Sequence, residues 1–430
     1  MLSRVLRILD ERRADGRPLR VGLIGAGTFG TMTLSQLNRL PGVAIAGVAD
    51  LDPGRAEAAL LRAGVGTRPL ITASAAELLA LERLDVVVEA TGAPASGVDH
   101  ALAAIDHGCH VVMVNVEADI LAGPILAERA RRRGVVYSLA YGDQPALICE
   151  LVDWARAAGF EVVCAGKGTK YRPGYQEATP DTVWGHYGMS PEQVAAGGYN
   201  ARMFTSFLDG TKSAIEMAAV CNATGLLPQQ GGLRFPPCAA ARLAEVAVPE
   251  DAGGVLSRRG TVEVVSSVER DGTPVVDDLR WGVYVTFAAG SDYVARCFRD
   301  YGLRTDPSGR YAAMHRPYHL IGLETSVSVL SAGLLGEPTG APSGFHADVC
   351  AVAKRDLSSG ETLDGEGGFT VVGRLLAADE SVAAGALPIG LAHGIRVVRP
   401  VAAGAVVTLD DVAPLPASPA LAMRARPRRS

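Results

Sequence analysis

The stretch VGLIGAGTFG, residues 21–30, decides how the first third of the chain is read. Residues 21–24 have strand character, and Gly25, Gly27 and Gly30 follow in the spacing G-x-G-x-x-G. In that pattern the first glycine allows a tight turn and the second lets backbone approach a pyrophosphate. The third lets a helix pack on the strand. The next residues, TMTLSQLNRL, have helical spacing, so the helix N-terminus faces the phosphates. Thr28 and Phe29 lie inside the turn and join the glycines as candidate cofactor residues. PGVAIAGVAD then reads as a second strand ending in Asp50, in the position that meets an adenine ribose. Asp50 favours the free hydroxyl of NAD, whereas Arg55, in LDPGR, is placed to cover the 2′-phosphate of NADP. NADP is the expected cofactor and NAD the alternative.

The alternation continues outward from this turn. LDVVVEATGAP predicts a buried strand at 85–90 and a turn at Thr91 and Gly92, which belongs in the cofactor crevice of an open sheet. SGVDHALAAIDHG reads as a helix, CHVVMVNVEAD as a strand and its exit, and VVYSLAYGDQPA as another strand. Asn115 and Glu117, in VNVEAD, complete the candidate cofactor set. The repeated βα pattern predicts an α/β fold, with a doubly wound parallel-sheet Rossmann domain over residues 1–150. The N-terminal segment MLSRVLRILDERRADGR is expected to form a helix packed on it.

Composition sets outer limits. The chain has 430 residues, enough for two or three cores, and 48% of them are hydrophobic. The net charge of −5 is spread evenly, which argues against a nucleic-acid surface. No apolar run is long enough to span a bilayer, and nothing resembles a signal peptide. The seven cysteines are scattered without a CxxC pair, as in a reducing cytoplasm. The basic tail, RARPRRS, is expected to be a solvated end.

The densest chemistry lies in a second domain, residues 151–344, expected to be α+β with an open sheet. In EVVCAGKGTKYRPGYQEATPDTVWGHYG a strand at 161–165 is expected to deliver Lys167, Thr169, Lys170 and Tyr171 into a glycine-bearing loop suited to an anionic substrate. Trp184, His186 and Tyr187 follow. NARMFTSFLDGTKSAIEMAAVCNATGL opens a helix at Asp209 and Gly210. Lys212 and Glu216 are four apart on a helix otherwise made of small and apolar residues, with Asn222 further along. Charges on such a buried helix need a reason, so Lys212 is read as a proton donor or substrate clamp. Lys167, Lys170, His186, Asp209, Lys212 and Glu216 are the candidate catalytic residues. Thr169, Tyr171, Arg202, Asn222, Arg310 and His319 are the candidate substrate contacts. RGTVEVVSSVERDGTPVVDDLRWGVYVTFAAG reads as two alternating strands with a turn at Asp271 and Gly272. His315 and His319 are separated by Pro317 and do not make a metal pair by themselves. From residue 345 to the end the texture becomes short strands and glycine turns, a small β-rich module.

Over about residues 15–415 the chain resembles a family of oxidoreductases called 1-deoxy-D-xylulose-5-phosphate reductoisomerase-like. In them a Rossmann domain of homoserine dehydrogenase type is joined to a C-terminal SAF domain. The resemblance rests on GLIGAGTFG, ADLDP, AGKGTKY, TPDTVWGHYG, FTSFLDGTKSAIEMA, RFPPC, DLRWGVYV, GRYAAMHRPYHLIGLE, GEPTGAP and AKRDLSSGETLDGEGG. Where homoserine dehydrogenases have an Asn-Lys pair near the nicotinamide, this chain keeps Asn115 and has Glu117 and Asp119 nearby. The resemblance implies NADPH-linked reductive isomerisation of deoxyxylulose phosphate to methylerythritol phosphate. It also raises a divalent metal, for which Glu117, Asp209 and Glu216 are the acidic candidates. A simple dehydrogenase of a hydroxy acid, polyol or amino acid is the alternative, and a non-catalytic NAD(P) sensor the alternative of another class. A small anionic substrate and a homo-oligomer are expected, with no nucleic-acid or membrane partner.

Overall fold

The structure is a computed structural model that describes residues 2–197 and 199–425; the basic tail from 426 lies outside them. The chain forms two compact units. The first holds the described residues of Met1–Glu150, His319–Ser343 and Ser418–Ser430, and the second holds Leu151–Tyr318 and Gly344–Ala417.

The first unit is built on six parallel strands: β1 (Leu19–Ile24), β2 (Val43–Ala49), β3 (Leu70–Thr72), β4 (Val86–Glu89), β5 (His110–Met113) and β6 (Tyr137–Leu139). Their order is β3-β2-β1-β4-β5-β6, so the winding reverses between β1 and β4. This is the dinucleotide-binding arrangement, in which ligands bind at the reversal, outside the carboxyl ends of the strands. The crossovers are α2 (Thr28–Leu37), α3 (Pro53–Arg62), α4 (Ala75–Leu79), α5 (Pro94–Asp106) and α6 (Val116–Arg133), preceded by α1 (Leu2–Ala14) and followed by α7 (Gln144–Ala157). Local signals set several starts. Asp52 accepts from Gly54 N ahead of Pro53 in α3, and Ser74 caps α4. Helices cover both faces of the sheet, which is why β4 is buried at every residue. Val5 and Leu9 of α1 join the core around Leu19, Leu23 and Leu34, as do Val329 and Leu330 from the returning segment.

The second unit centres on a mixed sheet of β7 (Glu161–Thr169), β8 (Thr261–Ser266), β9 (Val283–Ala288) and β10 (Tyr311–Arg316), in the order β10-β9-β7-β8. Two sequence expectations are corrected here. β7 does not stop at residue 165 but runs on to Thr169, so Lys167 is a strand residue. The glycines beside it serve close packing: a Cβ on Gly166 would lie 1.8 Å from Glu263 O, and one on Gly168 1.9 Å from Leu279 O. β7 lies between β8 and β9, parallel to the first and antiparallel to the second. Both are buried throughout instead of alternating.

Four helices follow β7: α8 (Val183–Tyr187), α9 (Pro191–Gly197), α10 (Ala201–Leu208) and α11 (Thr211–Thr224). The C-terminal stretch contributes antiparallel pairs, β11 (Ala347–Ala353) with β13 (Val371–Ala377) and β12 (Thr362–Asp364) with β14 (His393–Arg396). These strands are not an appendage to the second unit, because α11 packs against β11 and β13 on one side and reaches β7 on the other. Thr211 Oγ1 accepts from Gly373 N at 2.8 Å, and Asn222 Oδ1 accepts from the amides of His346 and Ala347. From Thr211 to Asn222 only Lys212 escapes full burial.

Candidate active site

In the first unit the glycine turn has the geometry its spacing predicts. Gly25 has φ of 97°, and a Cβ there would stand 2.7 Å from the Ala90 carbonyl carbon, so the turn after β1 touches the end of β4. A Cβ on Gly30 would come within 2.2 Å of Gly25 O. Gly27 differs: nothing lies within 4 Å of its Cβ position, it is exposed, and it opens α2 without a side-chain cap. An open backbone at an uncapped helix N-terminus suits a phosphate. Thr28 and Phe29 form the first turn of α2.

Asp50 knits this cradle together. Its Oδ2 accepts from Ala26 N at 2.8 Å and its Oδ1 from Asp52 N at 2.9 Å. Arg55, largely exposed, stands 3.7 Å from the same carboxylate. The adenosine end therefore offers a buried carboxylate and a solvent-facing guanidinium side by side, which fits either dinucleotide. Across the sheet reversal, Thr91 donates to Glu89 from both its amide and its hydroxyl, and His100 Nδ1 lies 3.3 Å from the same Oε1. Glu89 is fully buried and was not singled out from the sequence, although a carboxylate ending an apolar VVV run was the available signal. Gly92 is exposed with open space at its Cβ position. Asn115 caps α6 by accepting from Ala118 N at 3.0 Å and donates to Ala93 O at 3.2 Å, tying the end of β5 to the β4 turn. Glu117, half-buried, lies in the first turn of α6. In the same turn, Asp119 is buried against the Tyr137 hydroxyl at 2.8 Å, and burial pushes its carboxyl up to about 7.

In the second unit Lys167 and Glu216 form a buried ion pair between β7 and α11, with side chains 7% and 4% exposed. Glu216 is held by Lys167 across the packing interface, and Lys212, half-buried, opens α11. Thr169 ends β7, and Lys170 follows it with Nζ 2.8 Å from His186 O. Tyr171 is buried and stacks on Phe235, centroids 3.9 Å apart. Phe235 has a left-handed φ of 50°, unusual for a side chain of its size. Glu263 holds it there by accepting from the amides of Arg234 and Phe235. His186 packs on Tyr175, and desolvation, with Arg172 and Lys170 nearby, lowers its pKa.

Four expected site residues have other partners. Asp209, fully buried, pairs with Lys354 at 2.8 Å and accepts from Thr211 N. Lys354 also donates to Ala178 O and Gly368 O, so this ammonium fastens β11 to the α10–α11 corner. Arg202 bonds Asp364 and the carbonyls of Asp364 and Glu366. Asn222 pins the start of β11, as described. Arg310 pairs with Asp292 on the surface. His319, half-buried, belongs to the first unit. Among the described residues no three His, Cys, Asp or Glu side chains are placed to hold a metal ion. No helix among them is long and apolar enough to cross a membrane.

Comparison with known proteins supports a division of labour. Residues 22–139 match the family model described as homoserine dehydrogenase, NAD binding domain. Residues 142–325 match the model described as oxidoreductase DRL, catalytic domain. The chain thus pairs a segment similar to an NAD binding domain with a segment similar to an oxidoreductase catalytic domain. Both matches end before the C-terminal strands. No curated protein matches the chain. Among solved structures, an NAD binding oxidoreductase from Klebsiella pneumoniae is 23% identical over 38% of this chain and 45% of its own, with a TM-score of 0.31. The WlbA dehydrogenase from Bordetella pertussis, solved with NADH and UDP-GlcNAcA, is 20% identical over 37% and 49%, with a TM-score of 0.29. The putative oxidoreductase yvaA from Bacillus subtilis is 14% identical over 74% and 89%, with a TM-score of 0.40. The chain thus spans about half the length of the first structures it matches.

Proposed function

We propose that the protein is an NAD(P)H-dependent reductase of a small anionic sugar or polyol, and that its specific reaction is the reductive isomerisation of 1-deoxy-D-xylulose 5-phosphate. The observation that carries this reading is the buried Lys167–Glu216 pair, set at the centre of the unit that matches an oxidoreductase catalytic domain. A lysine–carboxylate pair withdrawn from water is a costly arrangement for stability alone. It is well suited to proton transfer, because the partner keeps the ammonium oriented while the low dielectric strengthens its field.

The bound nicotinamide supplies the hydride. The chain's own residues do the rest. Gly25, Gly27 and Gly30 admit the pyrophosphate, and Asp50 and Arg55 flank the adenine ribose. Lys167 gives a proton to the substrate oxygen that becomes a hydroxyl, Glu216 holds Lys167 in line, and a proton taken up from solvent restores the ammonium after turnover. For the isomerisation, Lys212 supplies positive charge to the oxyanion formed on carbon–carbon cleavage. Asp209 and Glu216 each already hold an ammonium, so these residues do not fit a divalent ion. On the SAF resemblance, the C-terminal strands are a scaffold; their packing on α11 supports that reading.

The test is incubation of the purified protein with NADPH and 1-deoxy-D-xylulose 5-phosphate. Nicotinamide absorbance would be followed and the product analysed by mass spectrometry and NMR. A branched polyol phosphate is the expected product. A straight-chain alcohol would leave a reductase without rearrangement. Turnover of hydroxy acids, polyols or amino acids with NAD, and none of sugar phosphates, would overturn the proposal.

A further inference from the structure

Among the described residues, three cations beyond the end of β7 have no carboxylate at ion-pair distance, although Asp278 accepts from the Arg280 main-chain N–H at 2.6 Å. Lys170 donates to the main-chain oxygen of His186 and lies 5.4 Å from the centre of the Tyr187 ring. The Arg172 guanidinium lies 5.3 Å over the Tyr175 ring, and Tyr175 in turn packs 5.1 Å from His186. Arg280 comes from a different part of the chain. The main chain at Leu279 and Arg280 runs directly against Gly168, where a Cβ would meet Arg280 N at 2.9 Å. Its guanidinium rests 4.8 Å over the Trp281 ring. All three cations are half-buried. Among the described residues none of them has a carboxylate at ion-pair distance, whereas Lys167, three residues upstream, is neutralised by Glu216. Desolvation, then Arg280 and Arg172, depress the Lys170 ammonium, and no acid offsets them.

Like charges gathered in a partly desolvated recess repel one another, and the arrangement is destabilising unless an anion completes it. One carboxylate would leave most of the charge unbalanced. A phosphate monoester, with up to two negative charges and three acceptor oxygens, matches two guanidinium forks and an ammonium. The aromatic rings of Tyr175, Tyr187 and Trp281 fix the stems of the three side chains without competing for the anion.

We propose that Lys170, Arg172 and Arg280 form a binding subsite for a phosphate monoester, and that Lys167 is not part of it. This names the charged end of the substrate in the reductase reading, and in that sense rests on it. The binding test below needs no turnover, so it can fail while that reading stands, and the reverse.

The experiment is calorimetric titration of the full-length protein with inorganic phosphate, with chloride keeping ionic strength constant. Saturable binding at one site is expected. Arg280→Gln and Lys170→Met should each weaken it by at least about 10-fold, the scale of one lost charged contact. Lys170→Arg should retain most of it, and Arg242→Gln, which removes an exposed arginine paired with Glu245, should leave it unchanged. NADPH and NADH affinity, measured by fluorescence, reports folding of the variants. It also identifies the source of the phosphate. If phosphate still binds in saturating NADPH, the subsite serves the substrate. If NADPH displaces phosphate and NADH does not, the subsite serves the 2′-phosphate of the cofactor. Should either variant fail to fold, Arg172→Gln takes its place in the same titration. No saturable phosphate binding, or binding unchanged in folded Arg280→Gln and Lys170→Met proteins, would overturn the proposal.

Discussion

Removing one partner of the Lys167–Glu216 pair gives the most direct test of what holds the second unit together. Glu216→Leu would leave the Lys167 ammonium buried opposite an apolar side chain, in a site where both side chains are less than a tenth exposed. Uncompensated burial of that kind costs about 3–5 kcal/mol. Lys167→Met alone leaves the carboxylate and should cost a similar amount. The double variant Lys167→Met/Glu216→Leu removes both charges and should recover most of the loss, giving a coupling energy of about 2–4 kcal/mol. The molecule supplies its own probe, because Trp154, Trp184 and Trp281 all lie in the second unit. Urea unfolding followed by tryptophan fluorescence therefore reports that unit, and NADPH binding reports the other. If the stability losses of the two single variants simply add in the double variant, the charges do not interact and the reasoning fails. If they do couple, the double variant should be folded, bind NADPH and turn over at least about 100-fold more slowly, which separates proton transfer from architecture.

Gly27→Val meets no protein atom and sits at an ordinary φ of −70°, so the fold should survive while NADPH affinity drops by at least about 10-fold; unchanged affinity would remove the glycine turn from the cofactor site. Arg55→Ala should weaken NADPH by about 10-fold and NADH by less than about 2-fold, and equal effects would mean that Arg55 does not meet the 2′-phosphate. Asp119 binds its proton more tightly folded, at about 7, than unfolded, near the ordinary aspartate value of 3.8. Between those values the folded state holds more protons, so this residue's contribution falls as pH rises through the window. Asp119→Asn, which still accepts from Tyr137, should remove a loss of about 2–3 kcal/mol between about pH 5 and about pH 8; an unchanged difference in the denaturation midpoints would count against a protonated Asp119.

The parts of the molecule legible in the sequence are those whose reasons are local. The glycine turn, the strand before it and the helix after it depend on neighbours within ten residues, and they appear where the spacing put them. β7 was cut short because Gly166 and Gly168 read as loop residues. Their cause is the approach of Glu263 and Leu279 from distant strands, which a single stretch of chain does not announce. The same holds for charge. Lys212 and Glu216 had the right spacing to pair on a helix, but a pairing worth a few tenths of a kcal/mol loses to a buried partner across the sheet. Asp209 looked like an available carboxylate until Lys354 arrived from the far end of the chain. The cations at Arg172 and Arg280 carried no motif. Only the packing of the Leu279 main chain against Gly168 brings them together.

The path of the chain bears on how the protein is made. The sheet of the first unit is complete in sequence by Leu139, yet its core includes Val329 and Leu330, and Pro419–Arg424 packs on α6. The second unit has its main sheet by Arg316, yet α11 stays uncovered until β11 and β13 are made. Neither unit can close while the ribosome is still in the middle of the message. A nascent chain stalled near residue 300 would hold an apolar helix and an unfinished core at once, and would be a natural client for chaperones that shelter emerging polypeptides. Frameshifts or truncations late in the reading frame should therefore yield insoluble product rather than a functional protein lacking its last strands.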